Sequence, residues 1–237
     1  MRISTLIGGL CGVLAAACAF SANAVAASAC ASSYSYAGLS AAAASHGVSA
    51  RITPLANPLV SKGHVAGWIG VGGDGYGPHG SSEWIQVGLS AFEGSLYSNI
   101  YYEVRQPGYA AQYIRVKATV KPGESHRMAV LEVRNKPNAW RVWVDGKPVS
   151  PAYYLPGSHT GWNPQATSES WNASTHVCNN FAYSFQGIAV SAKPGGVWHG
   201  LGRNVPFQDA GYAMSRRSPA GFVAASSTLL RQLNSNG

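Results

Sequence analysis

The chain has 237 residues, only 11% of them charged, and its 17 Lys and Arg outnumber nine acids to give a formal net charge of +8. A basic balance can signal nucleic acid or anionic surfaces. Here the bases are scattered, with Arg216-Arg217 the one doublet and no stripe of stacking aromatics between them, so no nucleic-acid partner is expected and the charge is left to solubility and to attraction for acidic polymers or cell walls.

In chain order, Met1-Arg2 gives a short positive start, Leu6 to Phe20 an apolar run, and Ala22-Asn23-Ala24 a small-x-small cleavage site. That pattern predicts a secretory signal peptide over residues 1–24, and so a secreted protein, extracellular or periplasmic, with no membrane attachment after cleavage. The apolar run is too short and too rich in Gly and Ala for a permanent span. Lipid attachment at Cys18 or Cys30 lacks a Leu three residues upstream. Cys11 and Cys18 leave with the leader. Cys30 and Cys178 remain as an even pair in an oxidising compartment, which predicts one disulfide between them. No Cys/His spacing resembles a zinc site, so neither metal nor cofactor is expected. The remaining chain of about 210 residues suffices for one core, and a monomer is expected.

Residues 25–62 are Ala/Ser-rich with Pro54 and Pro58, and read as an arm or propeptide-like segment, with a weak helical signal from Gly38 to His46. From residue 63 to 191 the text changes to short β-branched and aromatic runs cut by Gly and Pro. Strands are predicted at Ala66–Val71, Glu83–Ser90, Ser98–Gln106, Tyr113–Val120, Arg127–Asn135, Ala139–Val144, Thr167–Trp171 and Asn180–Ser191. Lys121-Pro122-Gly123-Glu124, Asn135-Lys136-Pro137-Asn138 and Asp145-Gly146 supply turns. This rhythm predicts an all-β sandwich or barrel. Residues 192–237 return to Gly, Pro and Ser and read as an irregular extension, with a short helix possible within Phe222 to Leu233.

Strand phase follows from alternation. Trp140, Val142 and Val144 are assigned to the core, with Arg141 and Trp143 facing out. Ile85 and Val87 point inward, which sends Trp84 and Gln86 to the other face; Tyr102 and Val104 oppose Tyr101 and Glu103. Aromatics away from the core (Trp84, Tyr101 or Tyr102, Trp143, Trp171) are too many for a wet surface and predict a concave, ligand-contacting sheet.

On that sheet two polar residues share a face with a Trp two positions away: Gln86 with Trp84, and Glu169 with Trp171. Glu169 is the only acid between Asp145 and Asp209. A lone carboxyl in neutral, aromatic surroundings is a candidate for chemistry.

The run Gly67-Trp68-Ile69-Gly70-Val71-Gly72-Gly73-Asp74, then Trp84-Ile85-Gln86-Val87-Gly88, then Tyr101-Tyr102-Glu103-Val104, resembles the opening strands of the eqolisins, the secreted glutamic peptidases. Ser168-Glu169-Ser170-Trp171 and Asn180-Phe181-Ala182-Tyr183-Ser184-Phe185 resemble the family's catalytic-Glu strand and the aromatic strand after it. The motifs span about residues 64 to 191, in order, with 83 positions between Gln86 and Glu169. The resemblance implies a concanavalin A-like antiparallel double sheet with its active site on the concave face, and an endopeptidase acting on polypeptide through a Gln86/Glu169 dyad. Trp68 would be a cleft tryptophan and Asp74 an acid in the adjoining loop; Trp84, Tyr101, Glu103 and Trp171 complete the substrate-binding set. In this chain Ser170 separates Glu169 from Trp171, where the family usually has Trp directly after Glu.

A second resemblance competes. Arg141-Val142-Trp143-Val144-Asp145-Gly146-Lys147-Pro148-Val149 is similar to the hairpin of laminin-G and lectin-like sandwiches, which implies that the aromatic concave face stacks sugar rings without chemistry. Glycan cleavage would need two carboxyls across the cleft, for which Glu103 is the partner available to Glu169.

Overall fold

The structure, a computed structural model, describes residue 30 and residues 33–159 and 161–235. The expected leader lies outside them. The chain order is β1 (Tyr34–Ala41), β2 (Gly47–Pro54), β3 (His64–Gly73), β4 (Glu83–Phe92), β5 (Ser98–Arg105), β6 (Gln112–Val120), β7 (His126–Glu132) and β8 (Ala139–Val144). Then come β9 (Lys147–Pro148), β10 (Tyr153–Tyr154), β11 (Gln165–Trp171), β12 (Ala182–Ser191), β13 (Trp198–Gly200), β14 (Asn204–Gln208), β15 (Tyr212–Ser218), β16 (Gly221–Ser226) and helix α1 (Ser227–Ser235).

Two antiparallel sheets face each other. One has seven strands in the order β14-β1-β11-β3-β4-β5-β6; the other runs β10-β8-β7-β2-β12-β16-β15, with β9 on β8 and β13 on β12. This is the expected all-β double sheet. Alternating apolar residues close its core: Ile69, Ile85, Val87 and Leu89 from the first sheet meet Ile52, Val130, Trp140 and Phe185 from the second, all buried. Gly67 is required at one point of this contact, because a Cβ there would come within 2.7 Å of the Tyr183 ring. Trp140, Val142 and Val144 are buried as their phase predicts.

Both ends depart from expectation. The segment read as an arm supplies β1, second in the seven-stranded sheet, and β2, between β7 and β12 in the other. Gly38 to Ala41 is strand, not helix. Its small residues reflect close packing rather than linker character: Ala37 and Leu39 of β1 and Val48 and Ala50 of β2 are almost fully buried. The tail read as irregular forms β13 to β16. The stretch from Phe222 begins as strand and turns helical only at Ser227. Leu230 of α1 packs on Ala182, Val223 and Ala225, which buries the outer side of β12 and β16.

Cys30 and Cys178 form the expected disulfide, with Cα atoms 5.3 Å apart. Cys178 lies in the connection between β11 and β12 rather than on a strand.

Glu83, at the start of β4, is fully buried. One carboxyl oxygen accepts from the Gly157 N–H at 2.9 Å, and the other has no partner among the described residues. Burial pushes its pKa up and the Gly157 hydrogen bond only partly opposes this. A raised acid pKa means that the folded state holds the proton more tightly, so its contribution to stability is lost as pH rises above the unfolded value of about 4.3. Glu83→Gln keeps an acceptor for Gly157 and never ionises. Urea unfolding at pH 4 and pH 7 is expected to show the variant gaining on the wild type at the higher pH. Equal pH dependence in the two proteins would contradict this.

Candidate active site

The free face of the seven-stranded sheet carries the site. Period-two alternation brings Tyr34 and Tyr36 of β1, His64 and Trp68 of β3, Trp84 and Gln86 of β4, Tyr101 and Glu103 of β5, and Glu169 of β11 to that face. In register, Glu169 stands opposite Ala66 on β3 and Tyr36 on β1; Gln86 stands opposite Gly70 on β3 and Glu103 on β5. Gly88 is opposite Trp68, where a Cβ would press within 2.7 Å of the Trp68 backbone, so glycine lets the indole lie low in the floor.

Glu169 is 9% exposed, and both its oxygens are held. Oε2 accepts from the Trp68 indole Nε1–H at 3.0 Å, and Oε1 lies 3.0 Å from His64 Nε2. The Gln86 amide Nε2 donates to the Tyr101 hydroxyl at 3.1 Å. Trp68 and Tyr101 pack together with Ala66, so Gln86 and Glu169 are coupled through the Tyr101–Trp68 contact. No direct hydrogen bond joins the two among the described residues. One strand, β3, lies between theirs, and they are offset by four residues along it (Ala66 to Gly70), on the order of 16 Å between backbones on a flat sheet. Both side chains line the same hollow.

A parallel arrangement holds the second carboxyl. Trp84 Nε1–H donates to Glu103 Oε1 at 3.2 Å, and the Arg105 guanidinium lies over the Trp84 ring, 5.2 Å from its centroid. Burial first and the Glu169 charge second raise the Glu103 pKa, against the Trp84 hydrogen bond and the charges of His64 and Arg105. Glu103 therefore keeps its proton to higher pH than an exposed glutamate. Burial, then Glu169, also raises Tyr36 and Tyr101, so both stay phenols.

Glu169, Glu103 and His64 lie between two hollows. One, of about 380 Å³, includes Asp74, Trp84 and Gln86 in its lining; the other, of about 320 Å³, includes Phe92, Tyr101 and Tyr113. Asp74 accepts from the Ser82 hydroxyl at 2.6 Å on the rim of the first. Trp171 stands at the cleft edge, 36% exposed, against Tyr34 and His64.

Gln86, Glu169, Trp68, Asp74, Trp84, Tyr101, Glu103 and Trp171 thus lie on or beside one face of the seven-stranded sheet. Trp143 does not. It belongs to β8 in the other sheet, with its side chain on that sheet's outer surface, because alternation distinguishes core from non-core but not which sheet's outer face is meant. Three contributors were missed. Tyr34 and Tyr36 lie in the Ala/Ser-rich segment read as an arm. His64 was placed just before the strand, although His64-x-Ala66-x-Trp68 has the alternation that sets it on Trp68's face.

No family model and no curated protein matches the sequence. Among solved structures, scytalido-glutamic peptidase with a transition-state analogue inhibitor matches at TM-score 0.57 and 14% identity, covering 82% of this chain and 98% of that one. A second structure of that enzyme, with a peptide-based transition-state analogue, matches at TM-score 0.55, 15% identity and the same coverage. SCP-B, a member of the eqolisin family solved with a tripeptide, matches at TM-score 0.49 and 13% identity, again covering 82% and 98%. At these identities the likeness to the first two is one of fold alone: two antiparallel sheets packed face to face.

Proposed function

We propose that the chain is an exported endopeptidase that hydrolyses polypeptide through Glu169 and Gln86. The observation that carries this reading is the Glu169 carboxylate, fixed by Trp68 and His64 between two hollows on a face that Gln86 shares. An extended chain crossing the concave sheet presents a peptide bond at that ridge. Glu169 takes a proton from water as the oxygen attacks the carbonyl carbon, then returns it to the leaving nitrogen. The Gln86 amide donates to the developing oxyanion, exchanging its Tyr101 partner for the substrate. Phe92, Tyr101 and Tyr113 make the second hollow a receptor for an apolar side chain. Export follows from the leader pattern, and the Cys30–Cys178 disulfide suits an oxidising compartment. Among the described residues, no helix is long and apolar enough to cross a membrane.

Digestion of a denatured protein substrate across pH tests the proposal: peptide release by the wild type supports it, and none at any pH overturns it. Gln86→Ala is expected to lower kcat by about 10²- to 10³-fold with a smaller change in KM, as for loss of one oxyanion donor. Unchanged kcat would remove Gln86 from the chemistry.

One observation favours a second reading. Glu103 and Glu169 line the same hollow, as glycan cleavage would require. Release of sugars, but not peptides, by the wild type would select it.

A further inference from the structure

The outer face of the other sheet carries a trough that the peptidase reading does not use. Its floor is a row of small residues in register: Trp143 stands opposite Ala129, Ala129 opposite Ser49, and Ser49 opposite Ala189. Trp143 forms one wall, and Trp198 of β13, 37% exposed, the other. The hollow between them is about 300 Å³ and continues past Leu131 and Gly195 into a second of about 230 Å³. Gly195, at φ 81°, keeps that passage open: a Cβ there would come within 2.8 Å of the Arg134 side chain.

Two features of the trough call for a polar, anionic occupant. Ser49 lines it and is 1% exposed, and among the described residues its hydroxyl has no partner; the Arg141 Nε, in the adjoining hollow, is likewise buried and unpartnered among them. Such groups cost free energy until something pairs with them. Arg127 stands at one end and Arg134 and Arg141 at the other, and among the described residues none of the three makes a salt bridge. The acids nearby are engaged: Asp145 accepts from the Arg127 backbone N–H and faces His126, and Glu132 accepts from the Asn138 N–H and faces His46.

We propose that this trough binds an acidic polysaccharide, with sugar rings against Trp143 and Trp198, a sugar hydroxyl paired with Ser49, and uronate carboxylates at the flanking arginines. Aromatic walls suit the apolar faces of sugar rings. Guanidinium groups suit carboxylates. A narrow trough with a hydroxyl in its floor fits a chain one ring wide better than a protein surface, and the net charge of +8 favours approach to a polyanion. Such a site would hold the protein on a carboxylated glycan matrix while the opposite sheet stays free.

Affinity electrophoresis and calorimetry with polygalacturonate, using neutral galactan and polyglutamate as controls, test this. The wild type is expected to bind polygalacturonate more tightly than either control. Trp143→Ala and Trp198→Ala are each expected to weaken that binding at least tenfold, while thermal melting and cleft-dependent digestion stay at wild-type levels. Trp198 is surface-exposed, so its variant keeps the test valid if Trp143→Ala folds poorly. The proposal is overturned if the wild type does not bind polygalacturonate, if it binds polyglutamate as tightly, or if Trp198→Ala binds polygalacturonate like the wild type.

Discussion

Glu169→Gln is expected to reduce peptide-bond hydrolysis by about 10²- to 10⁴-fold in kcat, the usual contribution of a positioned general acid–base group, while leaving the fold intact. The substitution is nearly isosteric, and the site accommodates it. The amide oxygen still accepts from the Trp68 indole N–H, which keeps the side chain in place. The variant loses only the ability to take a proton from water. KM should change little, because the walls that bind substrate remain. A variant with full activity and an unchanged melting curve would move the chemistry elsewhere, with Glu103 next to be tested.

The largest effect on stability is expected from the disulfide. Cys30 and Cys178 are 148 residues apart in sequence, so the bridge closes a loop comprising most of the two sheets. In the chain-entropy account, closing a loop of that length stabilises the folded state by up to about 5 kcal/mol, and native disulfides typically contribute about 2 to 5. Urea unfolding of the Cys30→Ser/Cys178→Ser protein, compared with the oxidised wild type, should show a loss in that range. The bridge also fixes the chain just before β1, the strand that carries Tyr34 and Tyr36 to the cleft, so activity should fall at temperatures where the wild type keeps it. A loss below about 1 kcal/mol would mean that the rest of the sandwich already fixes that end.

How much of this was legible in the sequence depended on side-chain size. Strands β4 and β8 carry large apolar residues at most alternate positions, so Ile85, Val87 and Trp140 declared their faces, and Trp84 and Gln86 followed by exclusion. β1 and β2 use Ala, Gly, Ser and Val for the same purpose. A sandwich core needs small residues where its sheets approach closely, yet in composition they cannot be told from a linker. The same blindness hid Tyr34 and Tyr36. Trp143 failed for another reason: a period of two tells which side of a strand a residue occupies, but not which sheet the strand joins. The pairing of Glu103 with Glu169 across one hollow was out of reach, because it depends on β11 lying beside β3 after a separation of about a hundred residues. Glu169 itself was legible, being isolated from other acids and set two positions before a Trp on the same face.

The most direct test of the account is the structure of the protein with a peptide-based transition-state analogue bound. The account predicts the tetrahedral centre between the two hollows, one oxygen within about 3 Å of the Glu169 carboxylate and the other within about 3 Å of the Gln86 amide nitrogen. The Trp68 and His64 contacts to Glu169 would be retained. An analogue bound with its tetrahedral centre away from Glu169, or with Gln86 still turned to Tyr101 and out of reach, would contradict it.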